Sequence, residues 1–273
     1  MTDLENSELK NNSLFGFPPK NPEQRLILEV IFLLPIIISV GFLGWLSSIN
    51  VIFTLIITII FGINLGLRFL LINEKGDWLF YLFGVLAGGG NDLMSMLNNV
   101  YGYTSIPLIP LLNGLLPLWM ILFWGQVFLL FRKIFGIKWF KGEPFHKDGF
   151  KIFRGWVDTK LTVDLVILIC LRITIYSTYM LPFWIPAFIY GIVICLRFLI
   201  FRPQKNELLI ITILPYAFIF EGLMVTFGLY VYVNPVFLGM PLWLFLWWIF
   251  LVPIVLKEIF DRFEYLLKPS KED

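Results

Sequence analysis

Eight runs of about 20 mostly apolar residues dominate this 273-residue chain. A helix rises about 1.5 Å per residue, so each run matches the hydrocarbon thickness of a bilayer. Lipid offers no hydrogen bonds to the backbone, and such segments therefore cross a membrane as helices. The runs cover about 26–46, 50–72, 78–98, 114–133, 161–180, 182–201, 207–230 and 238–257. With 59% hydrophobic residues, the chain is predicted to be an all-α integral membrane protein with eight transmembrane helices.

The basic residues are distributed unevenly among the segments that connect these runs. Of the 21 lysines and arginines, 20 lie in or beside the two tails and the 2–3, 4–5 and 6–7 links, and the other is Arg172. Basic residues are retained on the cytoplasmic side during insertion. Both termini and the central loop are therefore predicted to be cytoplasmic. Because topology accounts for the basic residues, no nucleic-acid partner is expected.

The chain matches itself at a constant offset of 129 residues. Residues 60–71 (IFGINLGLRFLL) and 189–200 (IYGIVICLRFLI) share seven of twelve positions. The same offset, which becomes 124 after a short insertion, pairs polar and aromatic residues: Asp92 with Glu221, Tyr101 with Tyr230, Tyr103 with Tyr232, Trp119 with Trp243, and Trp124 with Trp248. Such matches predict a tandem duplication. Each copy holds four helices, an even number, so the two copies form parallel repeats.

The duplication defines the predicted organisation of the chain. A disordered cytoplasmic tail (1–24) precedes a first four-helix repeat (25–133), and a cytoplasmic linker (134–153) leads to the second repeat (154–262) and a short tail (263–273). The N-terminal tail is polar and rich in Asn, Ser, Pro and Glu, a composition that is typical of disorder. We expect a multi-pass protein of a prokaryotic cell membrane.

Four charged residues, Asp92, Asp164, Arg172 and Glu221, lie inside apolar runs. A charge at mid-membrane costs roughly 2.5–3.5 kcal/mol, so such groups usually face a bundle interior and have a partner. All but Asp164 lie at one depth, about 21 Å from the cytoplasmic face. They form either a structural ion pair or a proton-handling site in which Arg172 keeps one carboxyl ionised. We expect Arg172 to reach Asp92 or Glu221 directly or through one water.

Two tyrosines follow each of these acids at equal spacing: Tyr101 and Tyr103 after Asp92, and Tyr230 and Tyr232 after Glu221. On a continuous helix the first of each pair would lie about 13 Å above the acid, near the outer surface. There the tyrosines either close the mouth of a cavity or anchor the helix ends in the interface. We predict that they bind substrate together with two repeat-related tryptophans, Trp119 and Trp243.

Other kinds of site find little support in the sequence. The single histidine, His146, lies in the linker without a second histidine or a cysteine nearby, so no metal site is expected. No nucleotide motif, haem ligand pair or Ser–His–Asp arrangement is present, and no cofactor is predicted. The role of His146 and of the linker stays open.

The stretch from Glu221 to Trp248 contains an intramembrane Glu, then Phe-Gly-x-Tyr-x-Tyr (227–232), Leu-Gly-x-Pro-Leu (238–242) and a Trp. In these features it resembles the integral-membrane carotenoid hydratases of bacteria and archaea. The chain is more loosely similar to the membrane-integral lycopene cyclases, which are also tandem duplicated and use intramembrane acids. The Pro-x-Glu-Glu pattern of the cyclases is absent, since Pro215 precedes Glu221 by six residues. The resemblance implies a lyase that adds water to a terminal double bond of a long isoprenoid, beginning with protonation.

The leading hypothesis is therefore an enzyme that acts on a lipid-soluble isoprenoid by acid catalysis, through hydration or cyclisation. Glu221 is the acid or its partner, Asp92 is its counterpart, and Arg172 makes the two unequal. The expected partners are this lipid-soluble molecule and membrane lipid. A transporter or channel for a small or lipidic solute is the first alternative, because parallel repeats and intramembrane charges suit it equally. A non-catalytic membrane scaffold is the second. Substrate identity and oligomeric state stay open.

Overall fold

A computed structural model describes residues 21–108, 116–141 and 157–267 of the chain. Most of this is helical, with helices α1 (Pro22–Ser47), α2 (Val51–Leu71), α3 (Asp77–Leu97), α4 (Leu118–Gly136), α5 (Thr159–Thr178), α6 (Trp184–Ile200), α7 (Lys205–Ile211), α8 (Leu214–Thr226), α9 (Leu242–Phe250) and α10 (Lys257–Leu267). Two short strands, β1 (Tyr101–Tyr103) and β2 (Tyr230–Tyr232), follow α3 and α8. The predictions made for His146, most of the linker and the ends of both tails fall outside the described residues.

Five stretches within the described ranges are long and apolar enough to cross a membrane: Pro22–Ser47, Val51–Leu71, Leu118–Gly136, Thr159–Thr178 and Leu242–Leu267. The last of them joins α9 to α10 through a π-helical turn, Leu251–Leu256. Many outward side chains of the helices are large and apolar; Phe42 and Leu199, for example, are each 79% exposed. A surface of this kind suits lipid rather than water. The chain is a helical membrane protein, whereas eight crossings and the repeat symmetry stay predictions.

The prediction of one continuous helix over 207–230 is wrong. This stretch contains α7, a break, α8 and then β2. Pro215 lies in the first turn of α8. Proline has no N–H for a hydrogen bond to the preceding turn, and its ring clashes with the carbonyl four residues earlier. It is tolerated at the start of a helix but interrupts one that would pass through it, which explains why the break precedes it.

The described chain forms two compact units, which divide within α3. One comprises the residues up to Asn91 together with Ser105–Ile137, and the other comprises Asp92–Thr104 together with the residues from Lys138 onward. In the first unit, α1 packs on both α2 and α4. In the second, α6 packs on α9 and on α5, and the two strands pair with each other.

The first unit buries an ionic cluster around Arg68. The guanidinium donates to both oxygens of Glu29, with Nε 3.1 Å from Oε1 and Nη2 2.9 Å from Oε2, and its Nη1 lies 2.6 Å from Oδ2 of Asp77. Lys133 and Arg132 contact Asp77 as well. Burial opposes ionisation of Asp77, but Lys133, Arg68 and Arg132 outweigh it and lower the pKa of that carboxyl. Each buried charge is thus compensated by an opposite one.

The second unit has a cluster of the same kind around Arg197, the residue that the 129-residue offset pairs with Arg68. The side chains of Arg197 and Asp164 are fully buried and form a two-pronged pair, with Nε and Nη2 of the arginine each 2.9 Å from a carboxylate oxygen. Glu207, at the start of α7, lies 3.6 Å from the same Nη2. In each unit a buried arginine contacts two carboxylates. One belongs to the helix before that of the arginine, and the other lies at the start of the helix after it.

The predicted topology can be tested with fusion reporters. A reporter fused after Lys141 is expected to read cytoplasmic, and one inserted at Asn234, in the exposed loop after β2, is expected to read external. The reason is the retention of basic segments on the cytoplasmic side. Paired alkaline phosphatase and fluorescent protein fusions at each position make the measurement. A cytoplasmic reading at Asn234 would contradict both the eight-helix count and the parallel repeats.

Candidate functional site

The candidate site forms where α3 and α8 end. After each helix the chain passes through one residue in the left-handed region, Asn99 (φ 59°) after α3 and Gly228 (φ 73°) after α8. The next backbone N–H in each case donates back into the helix, from Val100 to Ser95 O at 2.9 Å and from Leu229 to Met224 O at 3.1 Å. Glycine and asparagine are the residues that adopt this conformation most readily at helix ends.

These two turns overturn the expectation that the tyrosines lie one helical stretch above the acids. Each helix stops, and the chain folds back as a strand instead of continuing outward. The tyrosine side chains therefore lie beside the carboxyl of the helix that precedes their strand.

The strands β1 and β2 pair antiparallel, with Tyr101 opposite Tyr232 and Tyr103 opposite Tyr230. The hydrogen bonds beyond the strands follow the same pattern, from Thr104 N to Leu229 O at 2.9 Å and from Val233 N to Val100 O at 3.2 Å. Under the 129-residue offset these two bonds map onto each other. The register is the one that a local twofold axis between the two strands requires.

Alternate residues of a strand point to the same face, so the four tyrosines gather on one side of the ribbon. Their ring centroids lie 5.0 Å apart for Tyr101 and Tyr232, 5.5 Å for Tyr103 and Tyr230, and 6.3 Å for Tyr101 and Tyr230. Most of these ring pairs are tilted or edge-to-face, the arrangements that aromatic pairs prefer. We call Tyr101, Tyr103, Tyr230 and Tyr232 the tyrosine cluster.

The cluster holds both carboxyls by hydrogen bonds. Tyr101 donates to Oδ1 of Asp92, and Tyr103 donates to Oδ2 at 2.5 Å. Tyr232 donates to Oε1 of Glu221 at 2.5 Å. Burial, reinforced by the charge of Asp92, raises the pKa of Tyr101 well above its ordinary value. The phenol consequently stays protonated and remains a donor.

Glu221 has a further donor that the sequence analysis did not single out. The indole N–H of Trp248 lies 2.7 Å from Oε2 of Glu221. Trp248 follows the acid by 27 residues and reaches it from α9. The match of Trp248 with Trp124 at the 124-residue offset could have identified Trp248 as a candidate site residue. In the sequence analysis that match was used only to define the repeat.

The contacts described for Arg172 are with Trp247 and Ser95 rather than directly with a carboxyl, and the predicted contact through one water stays a prediction. Its guanidinium lies over the ring of Trp247, 3.9 Å from the centroid, and Nη1 is 3.4 Å from Oγ of Ser95. Ser95 is one helical turn beyond Asp92 on α3. An aromatic face stabilises a cation without an ion pair, so Arg172 is held beside the site rather than on a carboxylate.

The remaining predicted residues are divided between the two units. Trp243 lies at the edge of the tyrosine cluster, its ring 6.4 Å from that of Tyr232. Trp119 lies in the first unit, where its ring packs 6.0 Å from that of Phe61. Asp164 takes no part in the site and pairs with Arg197.

No group of three or more histidine, cysteine or acidic side chains in the described ranges is arranged to hold a metal ion. Comparison with protein-family models, with curated proteins and with solved structures finds no match to this chain.

Proposed function

We propose that this protein is an integral-membrane enzyme that protonates a double bond of a lipid-soluble isoprenoid and adds water to it or closes a ring. One observation carries the proposal: two carboxyls inside an apolar helical protein meet at one tyrosine cluster, each held by phenol hydroxyls. A purely structural carboxylate would be expected to pair with a cation, as Asp164 does with Arg197. The donors described for Asp92 and Glu221 are instead neutral groups in an aromatic setting.

The chemistry needs an acid, a stabilised cation and a base. A protonated carboxyl transfers its hydrogen to one alkene carbon, and the other carbon becomes a carbocation. The faces of the tyrosine cluster stabilise that cation by cation–π attraction. In hydration, water then bonds to the cation and returns a proton to the carboxylate, so that the net change is alkene plus water to alcohol. In cyclisation, a second double bond attacks the cation and a carbon-bound proton is lost to the carboxylate.

The role we infer for Arg172 is to make the two acids unequal. Arg172 lies against Ser95, one turn from Asp92 on α3. A nearby cation favours the ionised form of a carboxyl, whereas burial without one favours the neutral form. We infer that Asp92 stays ionised and that Glu221 takes up the proton. Two carboxyls in different protonation states are the usual arrangement for acid–base work.

A proton- or cation-coupled transporter is the second candidate. The observation that favours it is the charge of the site: among the described residues, two carboxyls meet at the tyrosine cluster, and the guanidinium of Arg172 lies beside it over Trp247. An intramembrane site with excess negative charge attracts protons or cations, as ion pathways do.

Lipid profiling of cells with and without the protein separates these candidates. The enzyme is expected to deplete an isoprenoid with terminal double bonds and to produce either a compound heavier by one water or an isomer with a new ring. Cells that make the Glu221→Gln variant at the same level should retain the substrate. An unchanged lipid profile in the presence of folded protein would contradict the enzyme and favour transport.

A further inference from the structure

Glu221 is bound by donors of two different kinds. Oε1 accepts from the hydroxyl of Tyr232, and Oε2 accepts from the indole N–H of Trp248. A phenol hydroxyl can either donate or accept a hydrogen bond, but an indole N–H can only donate. The two oxygens therefore differ in what they can do when the carboxyl becomes protonated.

We propose that Trp248 is a positioning residue that fixes the proton of Glu221 on Oε1, so that the proton leaves through the hydroxyl of Tyr232. A proton on Oε2 would face the indole hydrogen, and two donors cannot share a hydrogen bond. On Oε1 it faces a hydroxyl that can turn and accept. Trp248 thus keeps Oε2 as the carbonyl oxygen and directs the acidic hydrogen toward the tyrosine cluster.

The other groups that face Glu221 are compatible with this arrangement. The phenol of Tyr230 and the carboxyl of Asp92 are two further groups near Glu221. A phenol can accept as well as donate, and an ionised Asp92 favours the protonated form of Glu221. Arg172 is engaged with Ser95 and Trp247. Among the donors described for Glu221, only Trp248 is unable to accept.

We call the passage of this proton from Glu221 through the hydroxyl of Tyr232 the relay. Its role in catalysis rests on the proposed function. Glu221 gives the Oε1 hydrogen to the oxygen of Tyr232 while Tyr232 gives its own hydrogen to the alkene carbon. The tyrosine ends unchanged, and Glu221 is left as a carboxylate. The proton released later, by the added water or by a carbon of the ring, returns along the same path in reverse. The ring of Tyr232 lies 5.6 Å from that of Tyr230 and 6.4 Å from that of Trp243, so the relay ends within the aromatic cluster.

Infrared difference spectroscopy on the purified protein tests the proton position without any substrate. The carbonyl stretch of protonated Glu221 is identified as the band that disappears in Glu221→Gln. Trp248→Phe keeps a ring but removes the N–H, so this band is expected to shift to higher frequency. Trp184→Phe is the control, because Trp184 is 57% exposed on α6, and it should leave the band in place. No shift in Trp248→Phe, or no band lost in Glu221→Gln, overturns the proposal.

A second measurement serves if Trp248→Phe does not fold. With indole nitrogens labelled by ¹⁵N, the Trp248 N–H resonance should move when Glu221→Gln is introduced, while that of Trp184 stays in place. A Trp248 resonance that does not respond would overturn the proposal.

Kinetics test the catalytic role. In Trp248→Phe, kcat is expected to fall by about 10- to 100-fold, part of the 10²–10⁴-fold that general acid–base catalysis contributes, with KM nearly unchanged. Trp248→His, which keeps a ring N–H, should recover part of this loss. Equal rates for the Phe and His variants would contradict the relay. The infrared result stands whether or not the protein proves to be an enzyme, so failure of the proposed function is distinguishable from failure of this inference.

Discussion

Arg197→Met is expected to lower the free energy of unfolding by about 3–5 kcal/mol, because it leaves a fully buried carboxylate without its cation. Arg197 holds Asp164 by two hydrogen bonds of 2.9 Å, and both side chains are inaccessible to solvent. Chemical unfolding of the purified protein in detergent micelles measures the loss.

Two further variants show whether the stranded charge is the cause. In Arg197→Met/Asp164→Leu no charge is stranded, and Glu207 keeps Lys160 at 3.0 Å, so most of the lost stability should return. Arg25→Met is the matched control, because Arg25 forms a half-exposed pair with Glu74 and such pairs contribute about 0.2–1 kcal/mol. If Arg197→Met were as stable as Arg25→Met, the buried cluster would not stabilise the second unit.

Asp92→Asn and Glu221→Gln are each expected to reduce turnover by at least about 10²-fold, the lower range of general acid–base catalysis. The amides retain the shape of the acids and can still bond phenol hydroxyls. Glu221→Gln removes the group that supplies and takes back the proton, and Asp92→Asn removes the negative charge that favours the protonated form of Glu221. Stability should change by less than about 1 kcal/mol, the size of one hydrogen bond. Product formation in membranes and thermal unfolding in detergent make the two measurements.

Glu23→Gln, an exposed carboxyl near the start of α1, is the matched control and should alter neither quantity. If loss of folded protein accompanies loss of turnover in the Asp92 and Glu221 variants, the carboxyls have a structural role like that of Asp164.

The apolar runs predicted the positions of most helices well, because the backbone leaves few alternatives to a helix in lipid. The offset of 129 residues pairs Asp92 with Glu221 and the two tyrosines that follow each of them, and the structure brings both acids and all four tyrosines to one pair of strands. The sequence did not predict the two tight turns that bring these side chains together. They depend on two single residues in left-handed geometry, Asn99 and Gly228, whereas hydropathy reports only that a segment is apolar.

The surroundings of the charged residues could not be predicted from the sequence, and their depths in the membrane stay a prediction. Depth follows from residue count, but the direction of a side chain around the helix axis depends on packing. Arg172 shares the predicted level of the carboxyls yet lies over Trp247. Arg68 and Arg197 were attributed to topology alone, although both are fully buried in ionic clusters. Their match at the 129-residue offset, within otherwise apolar segments, was the signal that could have identified them.

Transfer of a proton from a carboxyl to an isoprenoid carbon is the proposed reaction, and deuterium transfer tests it most directly. Purified protein in D₂O is incubated with a polyprenoid that carries terminal double bonds, and carbon-bound deuterium in the recovered lipid is measured by mass spectrometry. Protonation by the enzyme predicts one deuterium per product molecule, whether the product is an alcohol or a ring, and a loss of that label in Glu221→Gln. Folded wild-type protein that leaves the lipid unlabelled, or a Glu221→Gln variant that labels it equally, would contradict the account.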